Sequence, residues 1–208
     1  MHWDVASRSS SENYHFLLST VMPRPIAWIT TLQANGKVNL APFSWYQTVC
    51  ANPPTVIVAV QERDQGVLKD TARNILRDGE CVVNGAPASM AQQIVDSSLP
   101  FSDEESELDE LGLHVAPSVR VRVPGLAEAP FRFEAKMMAH HILGTAAKTH
   151  VFFLEILHIH ADHLDERGNH DTNVPLLARM GGKMYTDSAD RREIQPNKSR
   201  IRSGDRSM

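Results

Sequence analysis

The tripeptide Lys69-Asp70-Thr71 places a cation, a carboxylate and a hydroxyl at the predicted start of a helix. The first backbone N–H groups of a helix have no intrahelical partner and lie at the positive end of its dipole, so they attract anions. Lys69 adds a point charge and Thr71 a hydroxyl donor, whereas Asp70 is expected to cap the helix and to face the backbone. Arg63 and Gln65 in the preceding loop are weaker candidates for the same anion. The pattern predicts a phosphate site, and an ordinary capped surface helix is the alternative.

A second chemistry-bearing stretch, residues 158–163, spells HxHxDH. This is the metal-ligand signature of metallo-β-lactamase-like hydrolases, and histidine is the commonest transition-metal ligand. In that fold the motif follows an early strand and is completed by well-separated downstream ligands. Here only residues 164–208 follow, and His170 is the one later histidine. The strand alternation continues through Ile159 and sends His158 and His160 to one face. We therefore expect solvated strand-end histidines and no catalytic zinc.

Residues 23–46 are the element that must position the phosphate site. Residues 26–30 are β-branched and aromatic, as strands favour, and residues 38–43 begin the return strand. Between them Asn35-Gly36 tolerates positive φ, which predicts a two-residue hairpin turn. The exit at residues 43–46 interleaves a serine with three large rings, a mouth that suits a planar ligand with a polar tail.

The remaining chain predicts further strands with short helices between them. Residues 55–60 are almost continuously apolar, which indicates burial on both faces. Residues 119–123 and 131–136 alternate strictly, which indicates antiparallel pairing with a polar outer face. Shorter or more buried strands are expected at residues 81–84 and 151–157. Helices are expected at residues 13–18, 69–76 and 86–97, and the acidic segment 103–111 is read as a second short helix or a lid. This order predicts a mainly β fold, a closed or partly open barrel of six or seven antiparallel strands with inserted helices.

Composition limits the partners and the organisation. The 208 residues are 42% hydrophobic, enough for one sizeable core. The expected division is an N-terminal arm and short helix at residues 1–20, the barrel domain at 21–186, and a polar tail at 187–208 that is disordered unless it docks on a partner subunit. The net charge of −4 and the pI near 6.2 argue against nucleic acid or an anionic membrane as partner.

The expected cellular compartment is inferred from two features that the given sequence does not show. No apolar run is long enough to span a bilayer, and the N-terminal residues have no signal-peptide core. A cytoplasmic location is expected. Cys50 and Cys81 have no CxxC pairing and are expected to be reduced thiols in or near the core.

The sequence resembles the flavin reductase-like family of FMN-binding split barrels, which includes flavoredoxins and NAD(P)H:flavin oxidoreductases. Neither GxGxxG nor GxxxxGK[ST] is present, so a nucleotide must be held by another device. The resemblance is carried by PRPIAWITTLQANGKVNLAPFSWY, NPPTVIVAV, LKDTARNI, ECVVN and RMGGKMY, in order and spacing from about Val21 to Tyr185. It implies a Greek-key split barrel, a homodimer, and FMN held without a covalent bond near the subunit interface. The chain departs from the family at Leu154, where relatives often carry glycine.

The resemblance also implies which residues contact the cofactor. Lys69 and Thr71 match the phosphate end, and residues 179–185 match a late segment that approaches the flavin or the dimer interface. The positions that match the ribityl chain and ring edge are Thr30, Thr31, Asn39 and Ser44. Trp28, Phe43 and Trp45 are candidates to stack on the ring, with at least one in the core. The cofactor-binding residues expected on this basis are Thr30, Thr31, Asn39, Ala41, Pro42, Phe43, Ser44, Arg63, Lys69, Asp70, Thr71, Arg179 and Tyr185.

The function implied is an FMN-dependent oxidoreductase. It would take hydride from NADH or NADPH and pass electrons to free flavin, a partner such as a monooxygenase, or a small acceptor. No side-chain acid or base is demanded, since the flavin carries the chemistry. Two alternatives remain open: a non-enzymatic FMN-binding electron carrier and, more remotely, a metal-dependent hydrolase acting through HxHxDH.

Overall fold

The structure is a computed structural model that describes residues 2–63, 66–99, 101, 107–145, 148–162, 165, 168–169, 173–190 and 192–194. The helices are α1 (Ser10–Thr20), α2 (Asp70–Asp78), α3 (Ala91–Asp96) and α4 (Glu107–Glu110), with 3₁₀ turns at Val5–Ser7 and Ala88–Met90. The strands are β1 (Arg24–Pro25), β2 (Ala27–Leu32), β3 (Val38–Phe43), β4 (Tyr46–Ala51), β5 (Pro54–Gln61), β6 (Glu80–Asn84), β7 (Val115–Ala116), β8 (Gly125–Leu126), β9 (Phe131–Leu143), β10 (Thr149–Ala161), β11 (Leu177–Arg179) and β12 (Tyr185–Asp187).

The main sheet is antiparallel and has seven strands in the order β3-β2-β6-β9-β10-β5-β4. Its two edge strands, β3 and β4, are consecutive in the chain and are joined only by Ser44 and Trp45. Such a short connection forces the two edges together, so the sheet curls into a barrel that is split between β3 and β4. The predicted mainly β, antiparallel split barrel is confirmed. Smaller sheets, β1-β11-β12 and β7-β8, lie beside it.

Two buried clusters occupy opposite faces of β2. Ala27 and Ile29 belong to the cluster inside the barrel, together with Val58 and Phe152 from the far strands. Trp28 belongs to the outer cluster, which packs β2 and β3 against α3 and α4 and includes Ile94. Both faces of β2 are therefore covered, which explains why all of its residues except Leu32 are buried.

The hairpin between β2 and β3 is one residue longer than predicted. The Gln33 N–H donates to the Lys37 carbonyl at 2.8 Å, and the Gly36 N–H donates to the Gln33 carbonyl at 3.0 Å. Residues 34–36 thus form a three-residue loop, with Gly36 at φ +82°. This is the arrangement in which a turn is followed by a left-handed glycine, and the expected two-residue turn at Asn35-Gly36 is wrong.

Residues 119–123 do not form the strand that their alternation predicts. Burial alternates from Arg120 to Val123, since Val121 and Val123 are buried and the two arginines are exposed, but Val119 is exposed and departs from the pattern. Their backbone, however, is a series of bends whose N–H groups donate to a side chain instead of a strand: the Glu134 carboxylate accepts from residues 119, 120 and 121 at 2.6–3.1 Å. A buried carboxylate has replaced the sheet partner.

The first helix begins where serine capping predicts. The Ser9 side chain accepts the Glu12 N–H at 3.2 Å, and the Glu12 carboxylate accepts the Ser9 N–H at 2.9 Å, which is a complete capping box. Its apolar residues are not buried: Leu17 is 50% exposed and Tyr14 is 37% exposed. This face of α1 therefore lacks a cover within the described part of one chain.

The structure also tests the predictions for the late strands and for the two cysteines. The predicted strands at 131–136 and 151–157 are parts of the longer β9 and β10, and β4 had no sequence signal. Cys81 is buried, and burial raises its thiol pKa to about 12, but Cys50 is exposed, so the expected near-core position of Cys50 is wrong. No helix among the described residues is long and apolar enough to cross a membrane.

Candidate functional site

A cavity of about 690 Å³ opens beside the start of α2, and most of the residues predicted to bind the cofactor line it. Its walls come from β3, the loop after β5, the first turn of α2 and the segment that follows α3. The predicted residues that line it are Asn39, Ala41, Pro42, Phe43, Arg63, Lys69, Asp70 and Thr71. Elements 30 residues apart in sequence are thus brought around one space by the curl of the barrel.

Lys69 is the uncompensated cation of this cavity. Burial lowers the pKa of its ammonium group, and the charge of Arg63 lowers it further. Its Nζ lies 5.8 Å from the centre of the Phe43 ring, and among the described residues no carboxylate lies within ion-pair distance of it. A partly desolvated ammonium group without a counter-ion is held ready for an anionic ligand.

The N-terminus of α2 is open on the same side. Lys69 itself is the N-cap residue, with φ −68° and ψ 150°, and no side chain caps the helix. The first N–H groups of α2 therefore remain available at the positive end of the helix, next to the Lys69 ammonium. The helix ends at Gly79, φ +72°, whose N–H donates to the Ile75 carbonyl, as the sequence predicts.

Asp70 does not cap α2, so that prediction is wrong. It is the first helical residue, and its carboxylate binds Arg63 at 2.9 Å and also binds Arg73. A carboxylate in the first turn is stabilised by the helix dipole without turning back onto the backbone. The consequence is that Asp70 is paired with the two arginines, whereas Lys69 has no partner carboxylate among the described residues. The other weak candidate, Gln65, lies outside the described residues.

Buried amides fix α2 against the hairpin. The Asn39 Nδ2 donates to Thr31 Oγ1 at 3.2 Å and to Thr71 Oγ1 at 3.1 Å, and Asn74 Nδ2 donates to the same Thr31 oxygen at 3.0 Å. All four side chains are buried. Thr31 therefore lies behind the cavity wall and supports Asn39 and Thr71, instead of lining the cavity.

Thr30 is turned away from the cavity. Its hydroxyl donates to the Pro124 carbonyl at 2.7 Å, on the face of β2 that also carries Trp28. Trp28 is fully buried and donates from Nε1 to Ser97 Oγ at 2.9 Å, so it is a core residue. The structure does not bring Thr30 or Trp28 to the site.

Two smaller cavities, of about 80 and 240 Å³, adjoin the large one and share Pro42 and Phe43 with it. Ser44 and Arg179 line both, and Tyr185 lines the smaller. Arg179 lies 4.6 Å above the Tyr185 ring, donates to its hydroxyl, and donates to the Gly182 carbonyl at 2.6 Å. The late segment therefore meets the exit of β3, as expected, beside the large cavity. Trp45 lines the 240 Å³ cavity.

Sequence reasoning missed one wall of the cavity. Ser97, Ser98 and Leu99 follow α3, and Phe101 lies just beyond. The only local signal was that a predicted helix stops at residue 97, because their approach to β3 depends on packing between distant elements. Glu62 was also missed; it lines the cavity while its side chain is only 8% exposed.

The histidines of HxHxDH lie beside the same glutamate that holds residues 119–121. Glu134 and the ring nitrogens of His158 and His160 lie within 4.8 Å of one another, a geometry with the ligand types of a metal site. His160 Nε2, however, is 2.5 Å from a Glu134 oxygen, and the three backbone N–H groups already donate to this carboxylate. The hydrogen-bonding capacity of the carboxylate is used in holding the chain. His163 and His170 lie outside the described residues.

We therefore expect no stoichiometric zinc in the purified protein. Elemental analysis should find well under one metal ion per chain, and His158→Ala should leave flavin-linked activity unchanged, because the exposed His158 makes no contact with the cavity. One or two tightly held metal ions per chain, with activity lost in His158→Ala, would contradict this.

The barrel and its cavity have the form of a flavin-binding split barrel, and the comparisons agree. Residues 18–185 match the model of the "Flavin reductase like domain". The chain is 38% identical over 202 residues to an uncharacterized protein of Halalkalibacterium halodurans, covering 92% of this chain and 97% of that one. It is 39% identical over 159 residues to the uncharacterized Bacillus subtilis protein YwrF, covering 76% and 77%.

Solved structures show the same fold. Nitrilotriacetate monooxygenase component B from Bacillus cereus superposes with a TM-score of 0.87 at 29% identity, over 93% of this chain and 98% of that chain. The Pseudomonas fluorescens 2-nitrobenzoate 2-nitroreductase NbaA gives 0.84 at 26%, over 98% and 100%. Flavoredoxin of Desulfovibrio vulgaris, at 18% identity and 0.71 over 96% and 100%, shares the fold. The chain belongs to the flavin reductase-like family, and it is a flavin-related oxidoreductase.

Proposed function

We propose that the protein is an FMN-dependent oxidoreductase that takes hydride from NADH or NADPH. The observation that carries the proposal is the uncapped start of α2 beside a partly desolvated, unpaired Lys69 within a cavity of about 690 Å³. A site of that size falls within the range of about 300–1,000 Å³ that small-molecule ligands occupy. Its cationic end fits a phosphate, which riboflavin lacks.

The residues present fit FMN along the length of the cavity. At the helix end, Lys69 and the first N–H groups of α2 would hold the phosphate, while Asp70 holds Arg63 alongside. At the other end Pro42, Phe43 and Ser44, with the adjoining Arg179, would contact the ring. Bound flavin would supply the hydride-accepting centre; the chain binds it, fixes its orientation and excludes water from one face.

The acceptor we propose is free flavin, a partner monooxygenase or a small molecule. A component of a two-part monooxygenase is among the more similar structures, at 29% identity, which favours supply of electrons to a partner. A nitroreductase at 26% identity makes a small acceptor the second choice. A direct reaction with the nicotinamide distinguishes this enzyme from a non-enzymatic FMN carrier.

Anaerobic titration with NADH and with NADPH tests the proposal. We expect at least one of them to bleach the visible absorbance of the protein-bound flavin within the time of mixing, because an enzyme of this class accepts hydride directly. Dithionite serves as the control that the flavin is reducible. A flavin that dithionite bleaches but neither nicotinamide does would identify an electron carrier instead.

We also propose that the chain is a homodimer with FMN near the subunit interface. Large apolar side chains are exposed on β4, β9 and α1; they include Val49 of β4, Met138 and Ile142 of β9 and Leu17 of α1, each between 48% and 52% exposed. Two-fold pairing is the commonest way to cover such surfaces.

Light scattering of the flavin-loaded protein should therefore give twice the chain mass of 23.2 kDa. Met138→Glu should shift the mass toward the monomer, because a charge placed within an apolar interface is costly to bury. The exposed Lys136 of the same strand, changed to Glu, is the matched control for a charge change. A monomer mass that does not depend on concentration, with flavin still bound, would exclude the dimer.

A further inference from the structure

Three titratable side chains form a continuous hydrogen-bonded chain that ends in the cavity. His140 Nε2 lies 2.9 Å from His150 Nδ1, and His150 Nε2 lies 3.0 Å from Glu62 Oε1. Glu62 lines the cavity, His150 is buried at 5% exposure, and His140 is half-buried. They come from three places in the chain, namely the end of β5, the start of β10 and the second half of β9, so no sequence motif announced them.

The ionised carboxylate of Glu62 determines the direction in which these hydrogen bonds run. The hydrogen bond from His150 lowers the pKa of the Glu62 carboxyl more than burial raises it, and the nearby Lys148 lowers it further. An ionised carboxylate only accepts, so His150 Nε2 must donate to it. A neutral imidazole that donates from Nε2 accepts at Nδ1, and His140 Nε2 must then donate to His150. Both hydrogen bonds therefore run from His140 toward the cavity.

The surrounding residues hold the two imidazole rings in place relative to each other. Their ring planes are only 9° apart, and Phe152 packs against both, with ring centres 5.0 Å from His140 and 6.4 Å from His150. The Glu62 N–H donates to the Lys148 carbonyl at 2.9 Å, which fixes the carboxylate relative to β10. Among the described residues, Glu62 Oε2 has no hydrogen-bond partner. That oxygen is left to meet a ligand.

We propose that Glu62, His150 and His140 form a proton relay that delivers a proton into the cavity during reduction. The inference rests on the proposed function, in which NAD(P)H + H⁺ + flavin gives NAD(P)⁺ and reduced flavin. The hydride brings both electrons and one hydrogen, so one further proton must come from solvent. His140 takes this proton at Nδ1 and passes its Nε2 proton to His150 Nδ1. His150 passes its Nε2 proton to Glu62, and no electrons move along the relay.

Glu62 then acts as the proton donor at the cavity wall, and the two histidines connect it with the outside. Burial lowers the pKa of His140, and the charges that His150 and His141 would carry lower it further, so His140 stays neutral and able to accept a proton near pH 7. The other charged groups that face the relay are Lys148 beside Glu62 and His141 beside His140. A general acid placed in this way typically contributes a factor of about 10²–10⁴ to the rate.

The kinetic test compares Glu62→Gln with His158→Gln. We expect Glu62→Gln to lower kcat for NAD(P)H-dependent flavin reduction by about 100-fold, with the Kd for FMN within about two-fold of the parent, because the amide keeps the shape but cannot relay a proton. Acetate or formate should restore part of the activity of Glu62→Ala, which a merely structural carboxylate would not allow. His158 is exposed and lies near the opposite end of β10 from His150, so His158→Gln should match the parent.

A measurement on flavin-free protein separates this inference from the proposed function. Nitrogen-15 NMR of the histidine rings should show both His140 and His150 as Nε2–H tautomers at neutral pH. An Nδ1–H tautomer at His150, or a parent-like kcat in Glu62→Gln, would overturn the relay. If the parent protein itself neither binds FMN nor reacts with NAD(P)H, the proposed function fails, and the relay that rests on it is overturned too, even with the expected tautomers.

Discussion

Lys69→Ala is expected to weaken FMN binding by about one to two orders of magnitude. Lys69 is the one cavity cation that the described carboxylates leave unpaired, and its hydrogen bond to a phosphate would be charge-assisted. Such bonds are worth roughly 1.5–3 kcal/mol, and each 1.4 kcal/mol is a factor of ten in Kd. Its burial adds to the effect, since the partly desolvated ammonium gains more from an anion than an exposed one does.

Riboflavin provides the sharpest control, since it carries the ring without the phosphate. It should bind the parent protein weakly and should be almost indifferent to Lys69→Ala. Lys136→Ala removes the same charge from an exposed position on β9 and should leave the Kd for FMN unchanged. Fluorescence titration of the three proteins with both flavins gives the comparison. Equal losses for FMN and riboflavin in Lys69→Ala would show that this lysine does not anchor the phosphate.

The behaviour of Asp70 differs from what its position in the sequence suggested. Because it pairs with Arg63 and Arg73 instead of capping α2, Asp70→Ala releases two positive charges next to the cavity. FMN binding should then be kept or slightly strengthened, whereas a capping role would have cost stability. The Kd for FMN from the same titration tests the expected affinity, and urea unfolding of Asp70→Ala tests for the loss of stability that a capping role would cause.

Local chemistry was sufficient to predict several of the points at which elements begin and end. Ser9 with Glu12 starts α1, Gly79 ends α2, and a left-handed Gly36 closes the hairpin, because each depends on residues that are neighbours in sequence. The proposed anion site rests on the same kind of local signal, since Lys69 and the first turn of α2 are adjacent. Asp70 was misplaced because an aspartate at the start of a helix can either cap it or form ion pairs, and Arg63 in the preceding loop and Arg73 in the helix favour the ion pairs.

Contacts between distant residues account for most of the misses. Thr30 and Thr31 are adjacent on β2, so alternation sends one hydroxyl to Pro124 and the other to Asn39, but the sequence does not tell which face meets α2. The Glu62–His150–His140 chain spans 88 residues and follows only from the pairing of β5 with β10 and β10 with β9.

The failed strand prediction at residues 119–123 has a single physical cause, which is Glu134. Its side chain is fully buried, and its two oxygens accept three backbone N–H groups and the His160 ring N–H. Periodicity reports which side chains are buried, and Val121 and Val123 are buried as it indicates. It does not report what satisfies the backbone N–H groups, and here a carboxylate does so from 13 to 15 residues away in the chain.

Glu134→Ala is expected to lower the free energy of unfolding by about 3 kcal/mol. Hydrogen bonds to a charged group are worth roughly 1.5–3 kcal/mol each, and removing the acceptor leaves buried N–H groups without a partner. Glu134→Gln should cost less, because the amide oxygen can still accept. Urea unfolding at pH 7 of both variants gives these values, and Glu155→Ala, a glutamate on β10 that is only half-buried, is the control.

The pH dependence of stability tests whether the hydrogen bonds to Glu134 depend on the charge of its carboxylate. Burial acts to raise the pKa of Glu134, but the hydrogen bonds from His160 and from residues 119–121 outweigh it, and the pKa lies below the ordinary value. A carboxyl whose pKa is lowered by folding stabilises the protein fully above its unfolded pKa of about 4.3, and this contribution is lost as the pH falls through the lowered folded pKa. As the pH falls below about 5, the free energy of unfolding of the parent should therefore decrease more steeply than that of Glu134→Gln, which has no carboxyl to protonate at this position. Parallel acid-unfolding curves for the two proteins would mean that the Glu134 charge does not hold residues 119–121 in place.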